Sequence, residues 1–271
     1  MALDEINHLV DKNVGISLGI GVNTALNYSY RLITLVLGVM VVPLTTIMFS
    51  RLSKFAAGDE KKKILDATKQ SLLVLSIVLV PVIVLAAVQS DDVIHLLYFR
   101  GAFDETSLHL TSTAFLFYVV GVLGFAWRNF LTRVFYAVQD TSAPMKIGVV
   151  SVAVNILLDI WLAKVMGVGG LTLATSISGM VGAMLMLIRL RRKVGQMGFR
   201  DTLFQLGKLM IAGGAAGLCA WYLAGFMAGS GVFLRLLCAT AAGLMVYVAL
   251  VLLLRVKGVS SLAHAVRRRT K

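Results

Sequence analysis

Charge is what this chain has least of. Charged side chains make up 14% of its 271 residues, against roughly a quarter in a soluble domain of ordinary composition. Acidic residues are the scarcer kind: 13 Asp and Glu stand against 26 Lys and Arg, a net charge of +13. There are only two cysteines, Cys219 and Cys238, both inside apolar runs and with no CxxC pair or His/Cys cluster. That excludes a disulfide framework and reads them as packing residues. The four histidines, His8, His95, His109 and His264, stand at no metal-ligand spacing from one another. No HExxH, GxSxG, P-loop or aspartate-rich phosphate-transfer motif occurs. The acidic group Asp91, Asp92, Asp104 and Glu105 reads as a solvated loop rather than a catalytic cluster. These absences imply a chain with no enzymatic chemistry, no metal and no cofactor. The acidic start, Met1 to Glu5, lacks the basic and then apolar pattern of a signal peptide.

What is present is a rhythm of long uncharged runs. Residues 32–50, 106–127, 165–188, 209–234 and 236–254 contain no Asp, Glu, Lys or Arg. A run of about 18 or more such residues can cross a bilayer core as a helix. The runs are continuous rather than alternating, which favours helices over barrel strands. The fold class expected is all-α: a polytopic transmembrane helical bundle of about eight membrane helices. The segments are placed at about 6–27, 32–50, 70–89, 107–137, 145–163, 169–188, 206–228 and 233–254. Pro81 falls inside the third and should disturb it. The 51–69 connection reads either as an amphipathic surface helix or as a solvated loop. Segment seven carries Gly213/Gly217 and Gly225/Gly229, a spacing that lets another helix approach closely; packing within the chain is favoured over a dimer contact.

The basic residues cluster in 51–69, 189–208 and 255–271, while the opposite connections are nearly free of cations. The positive-inside rule then puts both termini in the cytoplasm. The same rule, with anionic lipid headgroups as partners, accounts for the net charge. Nucleic acid is not an expected partner, since no basic patch sits on a soluble module.

The charged residues at membrane depth are the functional candidates. Asp11 and Lys12 are neighbours, so about 100° apart on a helix and not obvious partners. Arg31 opens the second segment after Tyr28 and Tyr30. It is either a snorkelling anchor or a planar fork suited to phosphate. Arg128 and Arg133 read as anchors at the inner end of segment four, with Arg128 able to reach inward. Asp159 and Lys164 read as lying toward the outer end of segment five, where water can meet them.

Several stretches resemble one family. Arg128–Pro144 reads RNFLTRVFYAVQDTSAP, Arg100–Asp104 reads RGAFD, Gly169–Ser178 reads GGLTLATSIS, and Ala25–Leu32 reads ALNYSYRL. In this order they are similar to the motifs of the lipid II flippase family, MurJ or MviN, within the multidrug/oligosaccharidyl-lipid/polysaccharide exporter superfamily. The resemblance runs from about Ile6 to Gly195. It implies a carrier for undecaprenyl-diphosphate-linked peptidoglycan precursor in the bacterial inner membrane, driven by an ion gradient or the membrane potential. The family has two six-helix lobes and two extra helices, and this chain matches the second lobe and the extra pair. The expected division is 1–195 for the lobe, its first helix truncated, 196–258 for the two extra helices, and 259–271 for a basic cytoplasmic tail. A first-lobe polypeptide is then an expected partner. The family's cavity arginine falls on Arg31, which the resemblance assigns to the diphosphate, with Asp11, Lys12 and Arg128 as further cavity candidates. The alternatives are a flippase for another undecaprenyl-linked saccharide, or a non-transporting membrane fragment or scaffold. The loops Arg100–Asp104 and Asp140–Pro144 read as structural turns.

The orientation is testable by cysteine labelling after replacement of Cys219 and Cys238. A cysteine at Lys62 or at Arg192 should resist an impermeant external reagent in intact cells; labelling of either would overturn the topology.

Overall fold

The computed structural model describes residues 2–58, 60–195 and 199–258. Its ten α-helices are α1 (Ala2–Leu18), α2 (Val22–Val36), α3 (Val42–Ala57), α4 (Lys61–Val88), α5 (Ser90–Tyr98), α6 (Glu105–Ala137), α7 (Ser142–Met166), α8 (Val168–Val194), α9 (Phe199–Phe226) and α10 (Val232–Leu253). A π-helical turn, Leu37–Val41, joins α2 to α3, so that Val22–Ala57 forms one long helical span. Seven spans among the described residues are long and apolar enough to cross a membrane. The 17-residue α1, which carries Asp11 and Lys12, is not one of the seven, although it packs against α7, α2 and α8.

Two expected boundaries move. The break between the first two segments falls at Gly19–Gly21, where Gly19 and Gly21 have φ of 127° and 88°, a backbone region that favours glycine. Arg31 therefore does not open a segment; it is the tenth residue of α2. The 51–69 connection is neither a surface helix nor a loop. α3 runs to Ala57 and α4 starts at Lys61, so these basic residues stand at the adjoining ends of two long helices and need no separate element. The tail at 259–271 lies outside the described residues.

Helices α6 and α8 form the centre of the bundle. They approach closely because small residues face each other. A Cβ on Gly121 would stand 2.7 Å from Ser176 Cα, and one on Gly124 would stand 2.9 Å from the Met180 nitrogen. Such proximity is how membrane helices gain van der Waals contact without a hydrophobic driving force. Ser176 Oγ donates to the Phe117 carbonyl at 2.7 Å, and Ser29 Oγ on α2 donates to the Thr111 carbonyl at 2.9 Å. α7 and α8 meet through one residue, Gly167, and the next tight point is Gly170 against the Leu162 carbonyl.

The loop motifs cap helices. Asp104 Oδ1 accepts from the Ser107 N–H at 2.8 Å at the start of α6; the Ser107 hydroxyl foremost, and then this N–H, hold the Asp104 carboxyl below its ordinary value. Asp140 Oδ1 accepts from the Ala143 N–H at 3.1 Å, while its Oδ2 accepts from Lys193 Nζ at 2.8 Å. Lys193 foremost, with these caps, pulls the Asp140 carboxyl down to about 2. The pair ties the start of α7 to the end of α8.

Helices α9 and α10 make a second, smaller core against α4. Gly213 abuts Val80 and Val84, and Gly217 abuts Val84 and Val88, whereas Gly225 and Gly229 have open space around them. The first glycine pair thus serves packing within the chain. At the other end of α10, Arg235 forks onto Asp92, its Nε 2.9 Å from Oδ2.

Pro81 sits inside α4, which continues through it. Proline has no N–H to donate four residues back, so the Ile77 carbonyl loses its helical partner. Tyr247 of α10 supplies it: the phenol donates to the Ile77 oxygen at 2.9 Å, fully inside the protein. The two sites should therefore be coupled. Tyr247→Phe should cost about 1–2 kcal/mol in detergent unfolding. In a Pro81→Ala background, where residue 81 can donate again, the same change should cost clearly less. Equal costs in both backgrounds would separate the two features.

Candidate functional site

The bundle interior holds one concentrated group of polar side chains. Asp11 and Asp159 are 2% and 0% exposed, and Asn155 is 0% exposed. Asp11 comes from α1, Asn155 and Asp159 from α7, and Thr175 from α8. Asp11 and Asp159 lie seven residues before the C-terminal ends of α1 and α7, and Thr175 lies seven residues after the start of α8, about 10 Å along each axis. They thus form a layer across three helices.

Within the layer, Thr175 Oγ1 is 3.2 Å from Asp11 Oδ2 and 3.1 Å from the Leu171 carbonyl. One hydroxyl proton can serve only one of them. Asn155 Nδ2 is 3.4 Å from both Asp159 Oδ1 and Thr175 Oγ1. The Asp11 and Asp159 carboxyls lie within hydrogen-bonding reach of each other. Three oxygens, Asp11 Oδ1, Asn155 Oδ1 and Asp159 Oδ2, are buried and accept no hydrogen bond. Buried acceptors without donors are costly, and two carboxyls facing each other add repulsion. A shared positive species removes both costs. The donors are all oxygen, which suits a hard cation or a proton and disfavours a transition metal. Two carboxylates are few for calcium, so the set suits a monovalent charge.

Asp159 thus departs from the expectation that water meets it, whereas Lys164 on the same helix is exposed. The seven residues from Asp159 to the helix end and the cover of α1 and α8 enclose it. Sequence reasoning passed over Asp159. The available signal was Asn155 and Asp159 one turn apart inside an otherwise apolar run.

Arg31 lies elsewhere on the same lobe. Nine residues of α2 precede it, about 13 Å of helix. Its side chain is exposed. One turn earlier Tyr28 stacks on Tyr98 with centroids 4.6 Å apart, and Phe103 of the Arg100–Asp104 loop closes this aromatic cluster at 6.0 Å from Tyr28. Arg31 is close enough to Tyr98 to act on it electrostatically. Tyr30, on the other side of Arg31, reaches Tyr118 of α6 with centroids 6.3 Å apart. Tyr118 in turn is buried beside Asp11 and Thr175. One aromatic bridge therefore runs from the arginine to the acidic layer.

The other candidates are not gathered with these. Lys12 is half-buried and Asn13 exposed. Arg128 is half-buried and reaches inward, its Cδ 3.3 Å from where a Cβ on Gly182 would stand. Gly182 is seven residues past Thr175 on α8, so Arg128 sits about 10 Å from the acidic layer. Arg133 spans the surface from α6 to α3, its Nη1 3.0 Å from Thr46 Oγ1.

The described residues thus form a multi-pass helical bundle with a buried acidic layer and an exposed arginine well inside a helix. Its fold matches a solved lipid II flippase MurJ in an inward closed conformation with a TM-score of 0.76 and 24% identity, over 94% of this chain and 52% of that one. It also matches a solved transporter from Pyrococcus furiosus described as a member of the MOP superfamily, with a TM-score of 0.58 and 15% identity, over 93% of this chain and 61% of that one. The family model described as "Lipid II flippase MurJ" matches residues 1–241, and the chain belongs to that family. A probable lipid II flippase MurJ of Treponema pallidum is 29% identical over 69% of this chain and 36% of its own length. That of Thermotoga maritima is 29% identical over 75% and 42%, and that of Vibrio cholerae 26% identical over 82% and 43%. The chain spans less than half the length of these relatives.

If the acidic layer takes up a monovalent charge, binding must stabilise the folded protein. Thermal unfolding of the purified chain should shift upward with added sodium, potassium or protons, by about 1.4 kcal/mol for each tenfold of ligand beyond saturation. Asp11→Asn with Asp159→Asn should abolish the shift. A shift that persists in the double variant would place the cation elsewhere.

Proposed function

We propose that this chain forms the second lobe, about 1–195, and the extra helix pair, about 196–258, of a carrier for undecaprenyl-diphosphate-linked peptidoglycan precursor in the bacterial inner membrane. Its termini and basic helix ends face the cytoplasm. Such a carrier does no covalent chemistry; it exposes the polar head of its cargo alternately to the two sides while the lipid tail stays in the bilayer. Alternating access needs two lobes that move against each other, so the lobe works opposite a first lobe, on the same polypeptide or another.

The observation that carries this reading is the position of Arg31: deep within a membrane helix, exposed, and flanked by tyrosines. A guanidinium in a cavity wall meets a diphosphate with two parallel hydrogen bonds, which an ammonium cannot do. The acidic layer is the proposed coupling site. A cation bound between α1, α7 and α8 would draw these helices together, and its loss would leave two facing carboxyls to push them apart. The Tyr30–Tyr118 contact is the route by which that change reaches the α2 wall that carries Arg31. The populations of inward- and outward-open states then depend on both ligands, each through its differential affinity for the two states.

In a protein that carries both lobes, Arg31→Ala should weaken precursor binding by about 1.5–3 kcal/mol, roughly ten- to a hundredfold. Arg31→Lys should lose most of the same affinity. Transport and membrane abundance are measured together. Full transport by Arg31→Ala at normal abundance would remove the diphosphate role, and a parallel fall of abundance and transport would make Arg31 structural.

A further inference from the structure

Cations also gather at one place that the carrier reading does not use. Between the start of α7 and the end of α8 lies an open groove of about 290 Å³. Lys146, Arg189 and Arg192 line its rim, and Val150, Leu185 and Ile188 line its floor. All three cations are exposed, and none has a carboxylate partner among the described residues. The acid at this end, Asp140, is already taken by Lys193. The groove is thus left with three uncompensated positive charges drawn from two helices.

Depth separates the two halves of the groove. Lys146 is four residues inside the start of α7, and Arg192 is two residues before the end of α8; both therefore lie within about 6 Å of a helix end. Val150 and Leu185 lie at least one turn deeper, and Val150 and Ile188 are 46% and 44% exposed on the lipid-facing surface. Lys146 and Arg192 thus sit nearest the helix ends and Val150 and Leu185 deepest, with Arg189 and Ile188, neighbours in sequence, between them. Snorkelling alone would spread cations around the helix ends; here three converge on one concavity floored by aliphatic side chains.

We propose that this groove is a binding site for one anionic glycerophospholipid of the surrounding leaflet, its phosphate held by Lys146, Arg189 and Arg192 and an acyl chain laid on Val150, Leu185 and Ile188. The occupant follows from complementarity. A zwitterionic lipid would leave the excess positive charge uncompensated, and a soluble anion would leave the apolar floor uncovered. The proposal rests on the membrane placement of α7 and α8 and not on the identity of the cargo. A lipid here would fasten the α7–α8 ends beside the Asp140–Lys193 clasp, on two of the three helices that form the acidic layer.

The test uses the full 271-residue chain in detergent, titrated with phosphatidylglycerol or phosphatidylethanolamine and read by native mass spectrometry. One phosphatidylglycerol should be retained in preference to phosphatidylethanolamine. Each surface cation is worth roughly fivefold in affinity for anionic lipid, so Lys146→Gln/Arg189→Gln/Arg192→Gln should weaken phosphatidylglycerol binding at least about tenfold. Lys61→Gln/Lys62→Gln/Lys63→Gln removes the same charge elsewhere and should leave that lipid bound. Val150→Trp, which fills the floor and keeps every cation, should also weaken it, with helicity checked by circular dichroism. Retention of the lipid by the groove variant, equal loss in the Lys61–Lys63 variant, or displacement by excess inorganic phosphate would each overturn the proposal.

Discussion

The constraint on which the whole molecule depends is that a bilayer core offers no water to its polar groups. Every N–H, carbonyl and hydroxyl at that depth must find its partner inside the protein. Tyr247 reaching the Ile77 carbonyl opposite Pro81 is this constraint made local: one helix breaks its own ladder and another repairs it. Ser29, Ser176 and Thr172 spend their hydroxyls on backbone carbonyls for the same reason. Because lipid is as apolar as leucine, contact comes from close backbone approach instead, hence the glycines at 121, 124 and 170 where α6, α7 and α8 meet.

Against that background the unsatisfied groups stand out. Buried oxygens of Asp11, Asn155 and Asp159 have no donor, as have those of Asn7 and Asn23, but only the first three are gathered with a second carboxylate. An arrangement that is costly when empty and favourable when it holds a positive charge is a natural basis for coupling: occupancy and helix packing become one variable. Arg31 is the electrostatic counterpart, a cation on an exposed wall at similar depth, joined to the acidic layer only through Tyr30 and Tyr118. Two rings thus stand between these opposite charges.

The helix ends follow a different logic, since water and headgroups are available there. Asp104 and Asp140 cap α6 and α7, and Asp140 also holds Lys193. Lys146, Arg189 and Arg192 have no such partner among the described residues and line a largely apolar groove. The surplus of positive charge that the composition displays is thus partly used within the protein and partly left to face the membrane surface.

The sequence by itself determined the class of fold, because bilayer thickness converts directly into the length of uncharged runs such as 165–188 and 236–254. It also determined the order of the membrane helices, and the motifs around Arg31, Arg100 and Arg128 carried the family resemblance. It could not reveal that α2 continues through a π-turn into α3, or that Arg31 lies ten residues into that span, because helix ends depend on where a backbone finds partners rather than on hydropathy. Least of all could it assemble the acidic layer. Asp11 and Asp159 are separated by most of the chain, and a lone carboxylate near a helix end reads the same whether it meets water or another carboxylate. Only the packing of α1 onto α7 and α8, set by side-chain shape, decided that these two would be enclosed together.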